Sequence, residues 1–273
     1  EEPRGNRVFI CLLVMLMARA EVQVNFSPEC KEFLYMGTPP QGLQDKLFKK
    51  ICQSYNGKPR FVTLYDTVDR IPVYSAYTFK RSDGSKKVDV PWMFEPQVGA
   101  AAGFFFSLLE CHRHFPQEDL HQSFAHPDDK AATYTLTNVV PQAREFNIGA
   151  WKRHEHTIRR RLNNYCRGIA YVVTGVTTSG HMIRRHNMNR VGIPTYLWSA
   201  YCCIDFDHNA PYDVRSKFPA YASHGLNDKE NDQVQEMSVQ HLEDFLKRET
   251  YVGKSFQLFY DNCVPPQDPL RFP

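Results

Sequence analysis

Long hydrophobic runs are missing from the 273-residue sequence. Its two most apolar stretches, residues 8–17 and 98–109, are shorter than the roughly twenty residues that a membrane-spanning helix needs. An excess of one charge is missing too, because the formal net charge is +3. Such a charge permits nucleic-acid binding without favouring it. No repeat, long linker or low-complexity block divides the chain, so we expect one domain over residues 21–273, without a stable membrane span.

Paired cysteine motifs are also missing. No two cysteines have CxxC spacing, and no cysteines and histidines have the spacing of a zinc site. The eight cysteines therefore favour structural disulfides, as in secreted proteins. Cys202 and Cys203 are adjacent and do not easily bond each other, so each is expected to bond a distant partner. The sequence leaves the connectivity open.

The start of the sequence has the three parts of a secretory signal peptide. Arg4 and Arg7 precede the apolar run, and Ala18-Arg-Ala20 puts small residues at the two positions that a signal peptidase reads. A buried core helix or a membrane anchor is the alternative. We therefore predict a signal peptide over residues 1–20 and a secreted, extracellular protein.

Alternating and amphipathic patterns predict an α+β fold, with a central, mostly antiparallel sheet and flanking helices. Residues 181–190 form a basic excursion between two of the strands. The predicted helices cover residues 44–55 and 236–248, and the predicted strands cover residues 60–65, 71–79, 132–140, 168–174, 196–206 and 255–260. Residues 209–222 are predicted to be a polar loop.

The strand over residues 132–140 leads through an amide-rich turn into a helix that opens near Gly149. The apolar positions Trp151, Ile158 and Leu162 follow helical spacing, and Glu155 falls on the same face. The arginines at 159–161 are assigned to the other faces. Carboxylates are seldom buried without a partner or a metal ion, so Glu155 is a candidate for metal chemistry. The alternative is an edge position paired with a neighbouring arginine.

An amide and a carboxylate near a helix start can hold a hydrated hard cation such as Mg²⁺. A metal ion of this kind beside a phosphate stabilises the charge of phosphodiester hydrolysis. A neutral histidine activates the attacking water, because its ordinary pKa suits a general base near neutral pH. Four histidines precede the strand, at positions 112, 114, 121 and 126. The alternative is a solvated loop in which one of them matters.

Two segments, Leu136-Thr-Asn138-Val-Val-Pro-Gln142 and Asn147-Ile-Gly-Ala-Trp151 with Glu155 beyond it, resemble the DNA/RNA non-specific endonuclease family of the ββα-metal (His-Me finger) class. Within that family the chain is most similar to the vertebrate endonuclease domain-containing 1 group, through Cys30, residues 64–66 and residues 70–77. The resemblance implies a ββα-metal finger, a Mg²⁺ cofactor and DNA or RNA as substrate. It assigns the metal ligand to Asn147, the ordering of metal-bound water to Glu155, and support of the site to Asn138.

One family motif is missing. The general-base histidine of the family lies in an Asp-Arg-Gly-His sequence, and this chain has none. Arg113-His114 stands nearest to that place, so His114 is the candidate base, and Arg113 or Lys87 the candidate phosphate ligand. Another register puts Phe115 at the base position and leaves His121 in the loop. Residues 97–113 are also unlike the family in length and composition, and without Cys111 the mature chain has an even set of cysteines.

Two functions therefore remain open from the sequence. The first is a secreted, metal-dependent endonuclease that hydrolyses DNA or RNA with little sequence preference, impaired by the missing motif. The second is an inactive protein of the same fold that binds nucleic acid, a metal ion or a protein partner.

Overall fold

The computed structural model describes residues 21–43, 48–81, 90–93, 117–119, 127–250 and 252–264. Ten strands lie in this part of the chain. They are β1 Glu21–Gln23, β2 Phe48–Tyr55, β3 Lys58–Asp66, β4 Ile71–Phe79, β5 Gln117–Asp119, β6 Val139–Pro141, β7 Ala170–Arg185, β8 Met188–Cys203, β9 Ala220–Leu226 and β10 Gln235–Met237. Eight of them form one sheet in the order β1-β2-β3-β4-β7-β8-β9-β10, and β5 pairs with β6 in a second.

Every pairing in the two sheets is antiparallel. Short turns join β2 to β3, β3 to β4 and β7 to β8, as antiparallel strands allow. The connection between β4 and β7 is the longest: the two strands pair directly, while the chain between them forms β5, β6 and a long helix. The connection between β4 and β7 therefore contains Asn138, Asn147 and Glu155, the residues that the sequence predicts for the site.

The described helices are few. They are α1 Pro28–Lys31, α2 Pro127–Ala132, α3 over residues 144–165, α4 Tyr212–Arg215 and α5 Val239–Glu249. Helix α3 is continuous but changes its pitch, with α-helical turns at Arg144–Phe146, a π-helical turn at Asn147–Trp151 and an α-helix at Lys152–Tyr165. None of the helices in the described ranges is both long and apolar enough to cross a membrane.

Both faces of the large sheet are covered. Successive residues of a strand point to opposite faces, and the core follows this rule. On β7, Val173 packs with Leu242, from α5. The preceding Val172 packs with Leu162, from α3. The sheet therefore separates α3 and the β5–β6 pair on one side from α1, α5 and the C-terminal segment on the other.

Three disulfides join the described cysteines: Cys30–Cys52, Cys166–Cys203 and Cys202–Cys263. The adjacent Cys202 and Cys203 do bond distant partners, as predicted. Because they are neighbours in β8, their side chains leave opposite faces of the sheet. One disulfide ties the end of α3 to the sheet and the other ties the C-terminal segment to it.

Several predicted elements are confirmed. The α+β class, the antiparallel sheet, the pair of strands β3 and β4, and the amphipathic helix α5 are all present. Helix α5 begins at Val239 rather than at Glu236, because the hydroxyl of Ser238 accepts a hydrogen bond from the backbone N–H of His241 and so forms the N-cap.

Other predicted elements are wrong. Residues 48–55 of the predicted 44–55 helix form β2, because the sheet and the Cys30–Cys52 disulfide override a short helical pattern. Residues 132–140 are not one strand, since only residues 139–140 belong to β6. Residues 220–222 of the predicted loop belong to β9. Residues 255–260 contribute an isolated bridge between Gln257 and Gln41 instead of a strand.

Candidate active site

Strands β5 and β6 and helix α3 form a ββα unit. Gln117 lies opposite Pro141 and Asp119 opposite Val139, in antiparallel register. Helix α3 begins at Arg144, close after β6. Asn227 fixes this junction, because its Oδ1 accepts from the backbone N–H of Ala143 at 2.7 Å and its Nδ2 donates to the carbonyl of Pro141 at 3.2 Å. The ββα arrangement that the resemblance implied is therefore present in the backbone.

Asn138 is held from all sides. It ends a 3₁₀ turn, Leu136–Asn138, and its side chain is fully buried. Its Oδ1 accepts from the hydroxyl of Ser75 at 2.9 Å, and its Nδ2 donates to the carbonyl of Thr133 at 3.2 Å. Both ends of the amide are therefore satisfied, which fixes the orientation of the side chain.

Ser75 belongs to a longer buried chain of polar side chains. Its hydroxyl lies 3.0 Å from that of Thr63, and Gln53 donates to the hydroxyl of Thr137 at 2.8 Å. All four side chains are buried. They connect strands β2, β3 and β4 to the 3₁₀ turn, so the sheet positions the segment that leads into β6. The network fixes the position of Asn138, whose supporting role in the site stays a prediction.

Asn147 begins the π-helical turn of α3. Turns of this type are rare and are often found at functional sites. The Asn147 side chain is only 2% exposed, and among the described residues its Nδ2 has no hydrogen-bond partner. Buried polar atoms are nearly always paired, so an unpaired amide here needs an explanation. A bound ligand is one.

Glu155 lies at the edge of the buried face of α3 and is partly exposed. The prediction of a buried carboxylate was therefore wrong. The buried face is centred on the line through Trp151, His154 and Leu162, which leaves Glu155 at its side. Glu155 is eight residues after Asn147, about 12 Å along the axis, and helical side chains lean towards the N-terminus. Glu155 therefore lies about two helical turns from Asn147, on the C-terminal side.

Three predicted site residues, Lys87, Arg113 and His114, lie outside the described residues, as do the other three histidines of the predicted cluster. Strand β5 begins at Gln117, three residues after His114. The signal peptide and Cys111 lie outside them as well. These assignments remain predictions.

A buried ionic cluster between α3 and the sheet was not predicted from the sequence. Arg161, which we assigned to another face of α3, is 7% exposed and lies 2.8 Å from Glu236. Lys217 lies 2.7 Å from the same carboxylate. Burial alone would raise the pKa of Glu236, but the bonds from Lys217 and Arg161 lower it below its ordinary value. The signal was in the helical spacing, since Arg161 is seven residues after His154.

His154 is buried beside this cluster. Its Nε2 lies 2.7 Å from the hydroxyl of Ser223, and its ring contacts Trp151. Burial lowers the pKa of His154 to about 4, against an opposing effect of Glu236. The imidazole is therefore neutral at physiological pH and holds α3 against β9. It is a structural histidine, two helical turns from Asn147.

The described residues fit a hydrated divalent ion. They contain no group of three or more His, Cys, Asp and Glu side chains that could enclose a metal ion. Mg²⁺ does not need one, because it keeps several waters and binds through one or two protein oxygens. A half-turn of the Asn147 amide exchanges Nδ2 with Oδ1. The unpaired position then holds an oxygen, which is the donor that Mg²⁺ prefers.

A protein-family model of DNA/RNA non-specific endonucleases matches residues 116–255, just over half of the chain. The match covers β5, β6 and α3 together. It also covers the basic excursion at residues 181–190 and the buried cluster around Glu236.

The endonuclease domain-containing 1 protein of Homo sapiens is 31% identical over 199 residues, and that of Mus musculus is 29% identical over 198 residues. Each alignment covers 64% of this chain. The chain spans 39% and 38% of the length of these relatives. A chain in the crystal structure of the EndoG/EndoGI complex has a TM-score of 0.52 at 16% identity, over 77% of this chain and 86% of that one. That likeness shows a common fold.

Proposed function

The chain belongs to the DNA/RNA non-specific endonuclease family, and we propose that it is a metal-dependent endonuclease that hydrolyses DNA and RNA with little sequence preference. The observation that carries the proposal is Asn147, a buried amide with an unpaired end among the described residues, at a π-helical turn of the ββα unit. Family membership alone would not distinguish an active enzyme from an inactive one.

We assign each residue of this chain a role in the reaction. Asn147 binds the divalent ion through its side-chain oxygen, and Glu155 orders the water around it. Asn138 keeps the preceding turn in place through Ser75 and Thr133. His114 takes the proton of the attacking water, and Arg113 or Lys87 binds the phosphate. When bound, Mg²⁺ supplies Lewis-acid stabilisation of the charge on the phosphate and on the leaving 3′-oxygen.

The three disulfides support a secreted protein, because disulfides persist in oxidising compartments. Secretion, with residues 1–20 as the signal peptide, is therefore part of the proposal. It would expose the enzyme to extracellular nucleic acid.

A second candidate function is a protein of the same fold that binds nucleic acid, a metal ion or a protein partner without cleavage. The missing Asp-Arg-Gly-His sequence favours it. In that case Asn138 and Asn147 would preserve the fold or a ligand site, and no residue would act as base.

A plasmid-nicking assay separates the two functions. We expect the wild-type chain to nick supercoiled plasmid with Mg²⁺ and to stop with EDTA. Asn147→Ala should reduce the rate at least 100-fold, because the metal ligand is lost. Asn164→Ala is the matched control, since Asn164 is an exposed asparagine of the same helix. Absence of nicking at high concentration of the wild type would overturn the enzyme proposal.

The base requires its own comparison. His114→Ala should abolish nicking, whereas His121→Ala should leave it within about twofold. The reverse result would assign the general base to His121 instead of His114. If both variants keep the nicking rate of the wild type, neither histidine is the general base.

A further inference from the structure

Strands β7 and β8 are joined by a tight hairpin. Arg185 pairs with Met188 across the turn, and Ile183 pairs with Val191 further down. The two turn residues, His186 and Asn187, both have positive φ angles, of 50° and 60°. Two residues of this conformation form the hairpin turn whose twist matches that of the strands. The basic excursion of the sequence is therefore an ordered β-hairpin.

The charges of this hairpin all have one sign. Between residues 170 and 203 the chain has no Asp or Glu, and its three arginines lie within residues 181–190. Arg184 and His186 are exposed, and Arg185 and Arg190 are partly exposed. Within the described residues, no ion pair joins these arginines to a carboxylate. Their charge is therefore available to a ligand.

The turn between β3 and β4 braces the hairpin from the side. Arg70 donates from Nη1 to the carbonyls of Asn189 and Arg190, at 3.0 and 2.9 Å. The carbonyl of Asp69 accepts from the N–H of Gly192 at 2.7 Å. The arginines are thus carried by a strand pair that is held from the side, which lowers the entropy lost on binding.

The base of the hairpin packs against the ββα unit. Ile183 and Val191 are 6% and 2% exposed, in one cluster with Phe146 and Trp151 of α3. Asn227 also donates to the carbonyl of Pro194, in β8, at 2.9 Å. The hairpin is therefore anchored beside the two ends of the turn that begins at Asn147.

We propose that the β7–β8 hairpin binds the phosphate backbone of nucleic acid beside the cleavage site, through Arg184, Arg185 and Arg190. Arginine suits phosphate, because its guanidinium donates two parallel hydrogen bonds. A contact of this type is independent of base sequence, as a sequence-tolerant enzyme requires. The inference rests on the proposed function in that it assumes a nucleic-acid substrate.

The test is binding of a fluorescein-labelled 30-bp DNA duplex by the full chain in EDTA, followed by anisotropy between 50 and 200 mM NaCl. The Arg184→Glu/Arg185→Glu double variant should bind at least about tenfold more weakly at 100 mM salt. The slope of log K against log salt should become less steep by about 2, since two phosphate contacts are lost. The conservative Arg184→Lys/Arg185→Lys variant should restore most of both.

Lys31→Glu/Lys254→Glu is the matched control, because it makes the same charge change at two exposed positions on segments that pack against the other sheet face. It should bind DNA within about twofold of the wild type. Equal DNA binding by the wild type and the hairpin double variant would overturn the proposal. So would hairpin-dependent sedimentation with phosphatidylserine vesicles in a protein that does not bind DNA.

The nicking assay keeps this proposal separate from the nuclease proposal. DNA binding that depends on the hairpin, in a protein that does not nick DNA, would support the hairpin proposal and overturn the nuclease proposal. Nicking by the hairpin double variant with the KM of the wild type would support the nuclease proposal and overturn the hairpin proposal. If both hold, KM should rise at least about tenfold with kcat unchanged, as expected for lost ground-state binding.

Discussion

Ser75 and Asn138 are joined by a hydrogen bond of 2.9 Å that is closed to solvent. It connects the middle of β4 to the 3₁₀ turn before β6, 63 residues further along the chain. Both side chains are fully buried, so bulk water does not offer either of them another hydrogen-bond partner. The bond therefore ties the turn, and through it the helix that follows, to the middle of the sheet.

We predict that Ser75→Ala lowers the free energy of unfolding by about 1–3 kcal/mol, because it leaves Oδ1 of Asn138 buried without a donor. Urea denaturation measures this change. Ser255→Ala, at an exposed serine, should stay within about 0.5 kcal/mol of the wild type. Equal stability of the two variants would show that the bond does not position the turn.

Asn138 and Asn147 should respond differently to alanine. Asn138→Ala removes two buried hydrogen bonds and should cost about 2–3 kcal/mol. Asn147→Ala removes an amide whose Nδ2 has no partner among the described residues, so it should change stability by less than about 1 kcal/mol. Thermal denaturation of both variants without metal checks this. A large loss for Asn147→Ala would make it a structural residue.

His154 should make the protein acid-sensitive. Its pKa is lowered by burial to about 4 in the folded protein and is ordinary, about 6.5, in the unfolded chain. The unfolded state therefore binds the extra proton first, so stability is full above about pH 6.5 and falls as the pH decreases towards 4. The loss is at most roughly 3 kcal/mol.

Urea denaturation of wild type and His154→Gln from pH 4 to 7.5 tests this sign. The variant should lose most of the slope in that window, because glutamine can still bond Ser223 but does not titrate. His241→Gln, at an exposed histidine, should keep the slope. A wild-type profile that is flat between pH 4 and 6.5 would contradict the neutral, buried imidazole.

Glu236 should matter more to stability than the more exposed carboxylate of Asp244. Glu236→Ala leaves the buried Arg161 and the adjacent Lys217 without their counter-charge, and we expect a loss of about 3 kcal/mol. Asp244→Ala breaks the partly exposed Lys247–Asp244 pair and should cost less than about 0.5 kcal/mol. Chemical denaturation of the two variants gives the comparison. Similar small losses would mean that Arg161 reaches water.

The sequence predicted the elements whose patterns agree with their surroundings. Strands β3, β4 and β7 are rich in β-branched and aromatic residues and lie inside the sheet, where such residues are favoured. Helix α5 has a single apolar stripe along one face. The prediction failed at residues 48–55, where helical spacing of apolar residues coincides with a strand. Local pattern alone does not show that β1 and β3 pair with this segment on both sides.

The site was predicted in part. The family resemblance at the segments of Asn138 and Asn147 implied the ββα unit. The opposite hydrogen-bonding states of the two asparagines could not be inferred, because the partners Ser75 and Thr133 depend on the fold. The helical spacing put Glu155 on the buried face of α3, whereas the structure puts it at the edge of that face. The π-helical turn has no recognisable sequence signal, and it is the feature that sets Asn147 apart from an ordinary helical asparagine.

The paired cysteines of β8 have one more consequence, which concerns cleavage of the chain itself. Cys166–Cys203 closes a loop that contains the exposed hairpin tip, and Cys202–Cys263 closes a second loop that contains the exposed segment around Tyr212. A protease that cuts either exposed site produces two ends that remain covalently attached. The polypeptide between Cys166 and Cys263 can therefore be nicked twice, once in each loop, without releasing a fragment.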